Sequence, residues 1–174
     1  LFPNPQTSST DNLKSNIDFL SVSMKLSPKV YLTLGKMISE WGGYEIDQNP
    51  INLFQFNDIV NFSDLFLSGV KLDYKVATNH TLSFQVLNAN TRTFNEMYGN
   101  IPGETASKFP LAFLTQWRGT FADGKFQTLY SYNLFTQAEG RHVNMFTLGN
   151  QVKLSKRKIQ YDFKFSNEEL DRTS

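Results

Sequence analysis

At 174 residues the chain is long enough for one ordinary domain, and 17 Lys+Arg against 16 Asp+Glu leave a net charge of +1, so no overall field recruits nucleic acid. Cysteine is absent, which excludes disulfides, thiol catalysis and thiolate metal sites. A mean hydropathy of −0.37, with no apolar run of about 18 residues, excludes a spanning helix but not spanning strands, whose alternation averages to a polar value.

The chain opens Leu1-Phe2-Pro3-Asn4-Pro5, without an initiator Met or the basic-then-apolar pattern of a signal peptide. It is therefore expected to be processed or an internal piece, and the strand count below favours the second. Sixteen Phe and seven Tyr among frequent Thr, Ser and Asn favour strands over helices.

Period-two alternation recurs in about eight segments. Leu20-Val22-Met24-Leu26 opposes Ser21-Ser23-Lys25, and a Ser27-Pro28-Lys29 turn leads to Val30-Leu32-Leu34. After a long polar connection at 39–64 comes the cleanest strand, Phe66-Ser68-Val70-Leu72-Tyr74-Val76 interleaved with Gly69, Lys71, Asp73 and Lys75. A turn at 77–80 precedes Leu82-Phe84-Val86, and a second long connection covers 89–110. Leu111-Phe113-Thr115-Trp117-Gly119-Phe121 follows, then an Asp123-Gly124 hairpin signal and Phe126-Thr128-Tyr130-Tyr132-Leu134. A third long connection is expected at 136–141, before Phe146-Leu148 and Val152-Leu154. A turn at 155–158 opens Ile159-Tyr161-Phe163-Phe165.

Short and long connections thus alternate, and several segments reach about 9–12 residues, which suits a tilted strand crossing a bilayer. Tyr74, Trp117, Phe121, Phe126 and Tyr161 lie beside short turns, with Phe66 and Phe165 beside long ones, as interfacial girdles would. The expected fold is all-β: an antiparallel transmembrane β-barrel. Alternation alone does not say which face is inside, so a soluble β-sandwich or lipocalin-like binding barrel stays open.

The stretch Val30–Asp64 holds Gly35-Lys36, Trp41-Gly42-Gly43-Tyr44-Glu45 and Asn49-Pro50-Ile51, and Phe66-Leu67-Ser68-Gly69-Val70 follows it. Phe84-Gln85-Val86-Leu87-Asn88, Ala106-Ser107-Lys108-Phe109-Pro110-Leu111-Ala112 and Glu168-Glu169-Leu170-Asp171-Arg172 continue in order. From about residue 16 to the terminus this succession resembles the phosphate-selective type of outer-membrane porin, in the version of Bacteroides-like bacteria. The resemblance implies about sixteen antiparallel strands, a homotrimer, and passage of small hydrophilic solutes across the bacterial outer membrane. Residues 1–174 would then be the central part of one barrel domain, because an open sheet leaves unpaired edges in lipid.

In such a barrel the register sends Lys25, Lys71, Asp73, Lys75, Arg118, Lys153, Asp162 and Lys164 to the pore, with Ser83, Gln85, Gln116, Ser131 and Asn133 among the neutral residues. The excess of bases leans toward anions. The resemblance also implies dense inward arginines, and only Arg118 qualifies, so general diffusion is expected rather than phosphate selectivity. Connection 39–64, with Glu40, Trp41, Glu45, Asp47 and Asp58, is either an external loop or a constriction whose carboxylates face the basic wall. No catalysis, cofactor or metal is expected. His80 and His142 fall at opposite ends, and Glu168-Glu169 lies beyond a strand. A plugged, non-conducting barrel serving an envelope complex is a further alternative.

Overall fold

In the computed structural model, residues 17–49, 51, 53–57, 59–60 and 63–172 are described. Eight strands form one antiparallel sheet in chain order: β1 (Leu20–Lys25), β2 (Val30–Ile38), β3 (Phe66–Ala77), β4 (His80–Asn88), β5 (Leu111–Phe121), β6 (Phe126–Ala138), β7 (Arg141–Leu154) and β8 (Arg157–Glu168). From β3 to β8 each strand holds 9 to 14 residues, the length a tilted strand needs to cross a bilayer.

Pairing fixes the two faces, because opposed residues point the same way. One row runs Phe84, Thr115, Tyr132, Phe146, Phe165. Its neighbour on the other face runs Lys25, Tyr31, Asp73, Ser83, Gln116, Ser131, Thr147, Lys164. The first face, called outer here, leaves Val70, Leu72, Phe84, Phe146 and Phe163 exposed among the described residues. The inner face carries the connection between β2 and β3.

The short turns are tighter than the sequence suggests. Ala77 pairs with His80 and Leu154 with Arg157, so Arg157 and Lys158 belong to β8 rather than to a turn. The Ala122-Asp123-Gly124 turn places all three residues at positive φ (49°, 53° and 85°), which explains an Asp-Gly pair there.

The connection at 136–141 is not long. Strands β6 and β7 continue to Ala138 and Arg141, which pair across Glu139-Gly140, with a bulge between Phe135 and Ala138 and Gly140 at φ +71°. The bulge shifts the period-two pattern, so alternation fades while the ladder continues. Connection 89–110 contains a helical turn, α1 (Phe94–Tyr98), closed by a capping box between Thr93 and Glu96.

On the outer face near the short turns, His80 stacks on Trp117 (ring centroids 5.8 Å) and Trp117 meets Tyr130 edge-on (5.6 Å). Gly119 lies opposite His80. A Cβ there would come within 2.9 Å of the Thr128 hydroxyl, 3.0 Å of the Phe121 ring and 3.1 Å of His80 Nδ1, so glycine gives these side chains room over the strand.

Candidate functional site

The inner face is not polar throughout. Leu67, Leu87, Leu114, Phe135, Val143 and Met145 point inward near the long connections and form a buried cluster with Met37 and Trp41. Inward leucines would be costly in a watery bore. Here they are covered by Trp41, 0% exposed, with Ile46, Ile59 and Val60 packed against the cluster.

The segment after β2 is threaded across the inner face by side chains of the wall. The Glu40 amide donates to Gln85 Oε1 (2.8 Å), and Gln116 Nε2 donates to the Glu40 carbonyl (3.1 Å). The Trp41 carbonyl accepts from Ser131 Oγ (3.1 Å), Asn133 Nδ2 (3.2 Å) and Thr147 Oγ1 (3.1 Å). Trp41 Nε1 donates to the Asp64 carbonyl at the far end of the connection (3.2 Å). Further along, the Glu45 amide donates to Asp162 on β8 (2.9 Å). A Cβ on Gly43 would meet that carboxylate at 2.4–2.6 Å, so glycine is what lets the backbone come this close. A buried backbone needs its polar groups satisfied, and β4 to β8 supply the partners.

Charge then pairs between loop and wall. Lys71 is held by Glu40 and by Asp73 (3.2 Å), and Asp73 accepts from Ser83 Oγ (2.6 Å). Arg118 grips Asp47 with two nitrogens (2.6 and 3.1 Å) and turns its Nε to Gln116 (2.7 Å). Lys164, its side chain 2% exposed, pairs with Glu45. Burial pushes the Tyr44 hydroxyl above its ordinary pKa. Arg118 opposes that shift, and Asp47 and Asp162 reinforce it.

All eight residues expected to line the pore therefore share the inner face. Of the loop candidates, Glu40, Trp41, Glu45 and Asp47 lie against that face, while Asp58 is outside the described residues. The carboxylates do not oppose the bases across open space. They touch them, which cancels most of the transverse field a facing arrangement would create.

No ion pair forms at Lys25, Lys75 or Lys153 among the described residues. Lys75 lies over the Tyr31 ring (4.8 Å). Lys158 joins Lys153 directly across the β7–β8 pair. A depression of ≈ 420 Å³ opens between wall and loop, lined by Tyr31, Glu40, Lys71, Asp73, Lys75 and Arg118 among others. Neither Tyr31 nor Lys158 was legible as a site residue, the first because it interrupts an otherwise polar set and the second because it reads as a turn.

A family model, phosphate-selective porin O and P, matches residues 4–173. The chain belongs to this porin family. No curated protein and no solved structure matches the chain. Membership makes the protein an outer-membrane porin, from a family of channels rather than enzymes. A soluble sandwich, which would bury the exposed apolar face, does not fit this family, and that face has the composition suited to lipid.

Proposed function

We propose that this porin passes small hydrophilic solutes by passive diffusion, with a slight preference for anions and none for phosphate. The bore is bounded by the inner face and narrowed by the connection at 39–64. The observation that carries the reading is the pairing of Glu40 with Lys71, Asp47 with Arg118 and Glu45 with Lys164. Three loop carboxylates offset three wall bases and leave Lys25, Lys75, Lys153 and Lys158 without ion pairs among the described residues, a basic excess that the inward Asp73 and Asp162 reduce but do not cancel. Of the arginines on the inner face of the described strands, Arg141 pairs with Glu104 at the loop end and the fork of Arg118 is already filled by Asp47, so neither offers much to strip water from a phosphate.

Strands β1 and β8 pair only with β2 and β7 among the described residues. Open edges cannot face lipid, so the eight strands are part of a larger closed barrel, with about sixteen strands in a homotrimer as the family arrangement. A planar-bilayer recording of the full-length protein tests the reading. A steady ohmic current whose reversal potential in a salt gradient leans to chloride supports it. Strong cation preference, or block by low phosphate, contradicts it. The second reading, a plugged accessory barrel, is favoured by the Trp41-centred cluster that fills the inner face near the long connections, and absence of current selects it.

A further inference from the structure

The short-turn end of β7 and β8 concentrates positive charge that no ion pair among the described residues neutralises. Lys153 stands directly opposite Lys158, and Leu154 opposite Arg157, with Lys156 in the turn between. The Lys153 amide donates to the Lys125 carbonyl (2.8 Å), which brings the β5–β6 turn alongside. All five cations are exposed, and none has an ion pair among the described residues. Like charges placed directly across a strand pair are unfavourable, so this corner is built for an anion.

The faces say which anion. From Phe146 to Leu154 and from Arg157 to Phe165, Arg157 is the one charged residue pointing outward. It lies one pair beyond the outer row Phe121, Phe126, Val152, Ile159, at the level where an apolar band gives way to headgroups. Leu154 beside it and Ile159 beneath it are more than half exposed (53% and 57%), and Phe126 lies in the row of Ile159. A free anion in the bore would use the inward Lys153 and Lys158. A phosphate attached to acyl chains would use Arg157 and the apolar seat.

We propose that the short-turn end of the β7–β8 hairpin binds an anionic phospholipid, its phosphate on Arg157 with Lys156 and Lys125 beside it, and its chains on Leu154, Ile159 and Phe126. A guanidinium grips a phosphate through two parallel hydrogen bonds, and flanking lysines favour anionic over zwitterionic headgroups. The inference rests on the reading that the outer face lies in a bilayer.

The test reconstitutes the full-length protein in phosphatidylcholine vesicles containing a minority of phosphatidylglycerol, then counts retained lipids by native mass spectrometry after mild extraction. Phosphatidylglycerol should be enriched several-fold over its share of the vesicle. R157Q, and the triple variant K125Q/K156Q/R157Q, should lose that enrichment while still conducting, whereas K25Q/K75Q on the inner face should keep it. Equal enrichment in all variants overturns the site, and so does displacement of the lipid by millimolar inorganic phosphate. A protein that conducts without enriching phosphatidylglycerol overturns this proposal alone. A protein that neither inserts into the vesicles nor conducts overturns the bilayer reading and the site with it.

Discussion

The Lys164 ammonium on β8 is buried against the Glu45 carboxylate, which reaches it from the connection between β2 and β3. This contact ties one end of the sheet to a loop that leaves from near the other. With 2% of its side chain exposed, Lys164 has no access to water that could replace Glu45. Removing one partner of such a pair strands a charge, at a cost of about 3–5 kcal/mol. Glu45→Gln should therefore lower the heat-unfolding midpoint of the detergent-solubilised barrel, and adding Lys164→Met should recover much of the loss. If Glu45→Gln alone melts like the parent, water reaches Lys164 and the loop does not seal it.

Asp47 differs from Glu45 in exposure, and its removal should differ in effect. The Asp47–Arg118 pair is about 40% exposed on both sides (38% and 41%), so water can replace either partner and stability should change by under about 1 kcal/mol. Asp47→Asn instead frees the Arg118 fork toward the depression beside Tyr31. The reversal potential in a salt gradient should move toward chloride, with conductance little changed. An unchanged potential would mean that Arg118 does not see the permeating ions.

The sheet was legible from alternation wherever one face is apolar and the other polar, as along Val70, Leu72, Tyr74 and Val76 against Lys71, Asp73 and Lys75. It was less legible at 136–141, where the bulge after Phe135 breaks the period while the ladder continues. The inner face was half legible. Every charged residue assigned to it lies there, yet the leucines at 67, 87 and 114 break the polar alternation on that same face. Those breaks cluster at the strand ends nearest the long connections. They are the trace in the sequence of a loop that covers them, a pattern visible only once the strands are set side by side. The direct contact of loop carboxylates with wall bases needs the path of residues 40–47 across five strands, which no local pattern encodes.

The register of β3 has a chemical test. Lys71 and Asp73 face the loop while Val70 and Leu72 are exposed on the outer face, and a one-residue slip would exchange the two sets. In an otherwise cysteine-free chain, a bulky water-soluble thiol reagent should modify Cys introduced at Asp73 and spare Cys introduced at Leu72 in membranes. The reverse pattern would place the polar row against lipid.

Tyr98 on α1 predicts a dependence on alkaline pH. Burial, with the Glu168 carboxylate accepting from its hydroxyl, raises its pKa above the ordinary tyrosine value. A raised pKa means that the folded state keeps the proton which the unfolded chain releases near pH 10. The stabilisation is complete below that pH and is lost as pH climbs toward the folded value. Amide exchange along 94–98 should therefore accelerate beyond its intrinsic base dependence above about pH 10. Tyr98→Phe should abolish that extra step and lower protection at neutral pH. If Tyr98→Phe leaves both unchanged, the docking of α1 does not depend on this hydroxyl.

The last prediction concerns the width of the bore. Trp41 is the point at which the loop is fixed: its ring sits at the centre of the inward apolar cluster, and its carbonyl collects donors from Ser131, Asn133 and Thr147. Truncating a buried Trp costs about 3–5 kcal/mol, and it would leave Leu67, Leu87 and Leu114 open to water. Trp41→Ala should loosen the loop along its whole path and produce a noisier channel. Deleting about ten residues around Tyr44–Ile51 removes the span carrying Glu45 and Asp47 while retaining Trp41. If the loop narrows the bore, that deletion should raise single-channel conductance clearly and without the noise. Two variants separate the causes, since a barrel that merely unfolds locally would turn noisy in both. If both conduct like the parent, the loop lies beside the permeation path and its role is to hold β4 to β8 in register against one another.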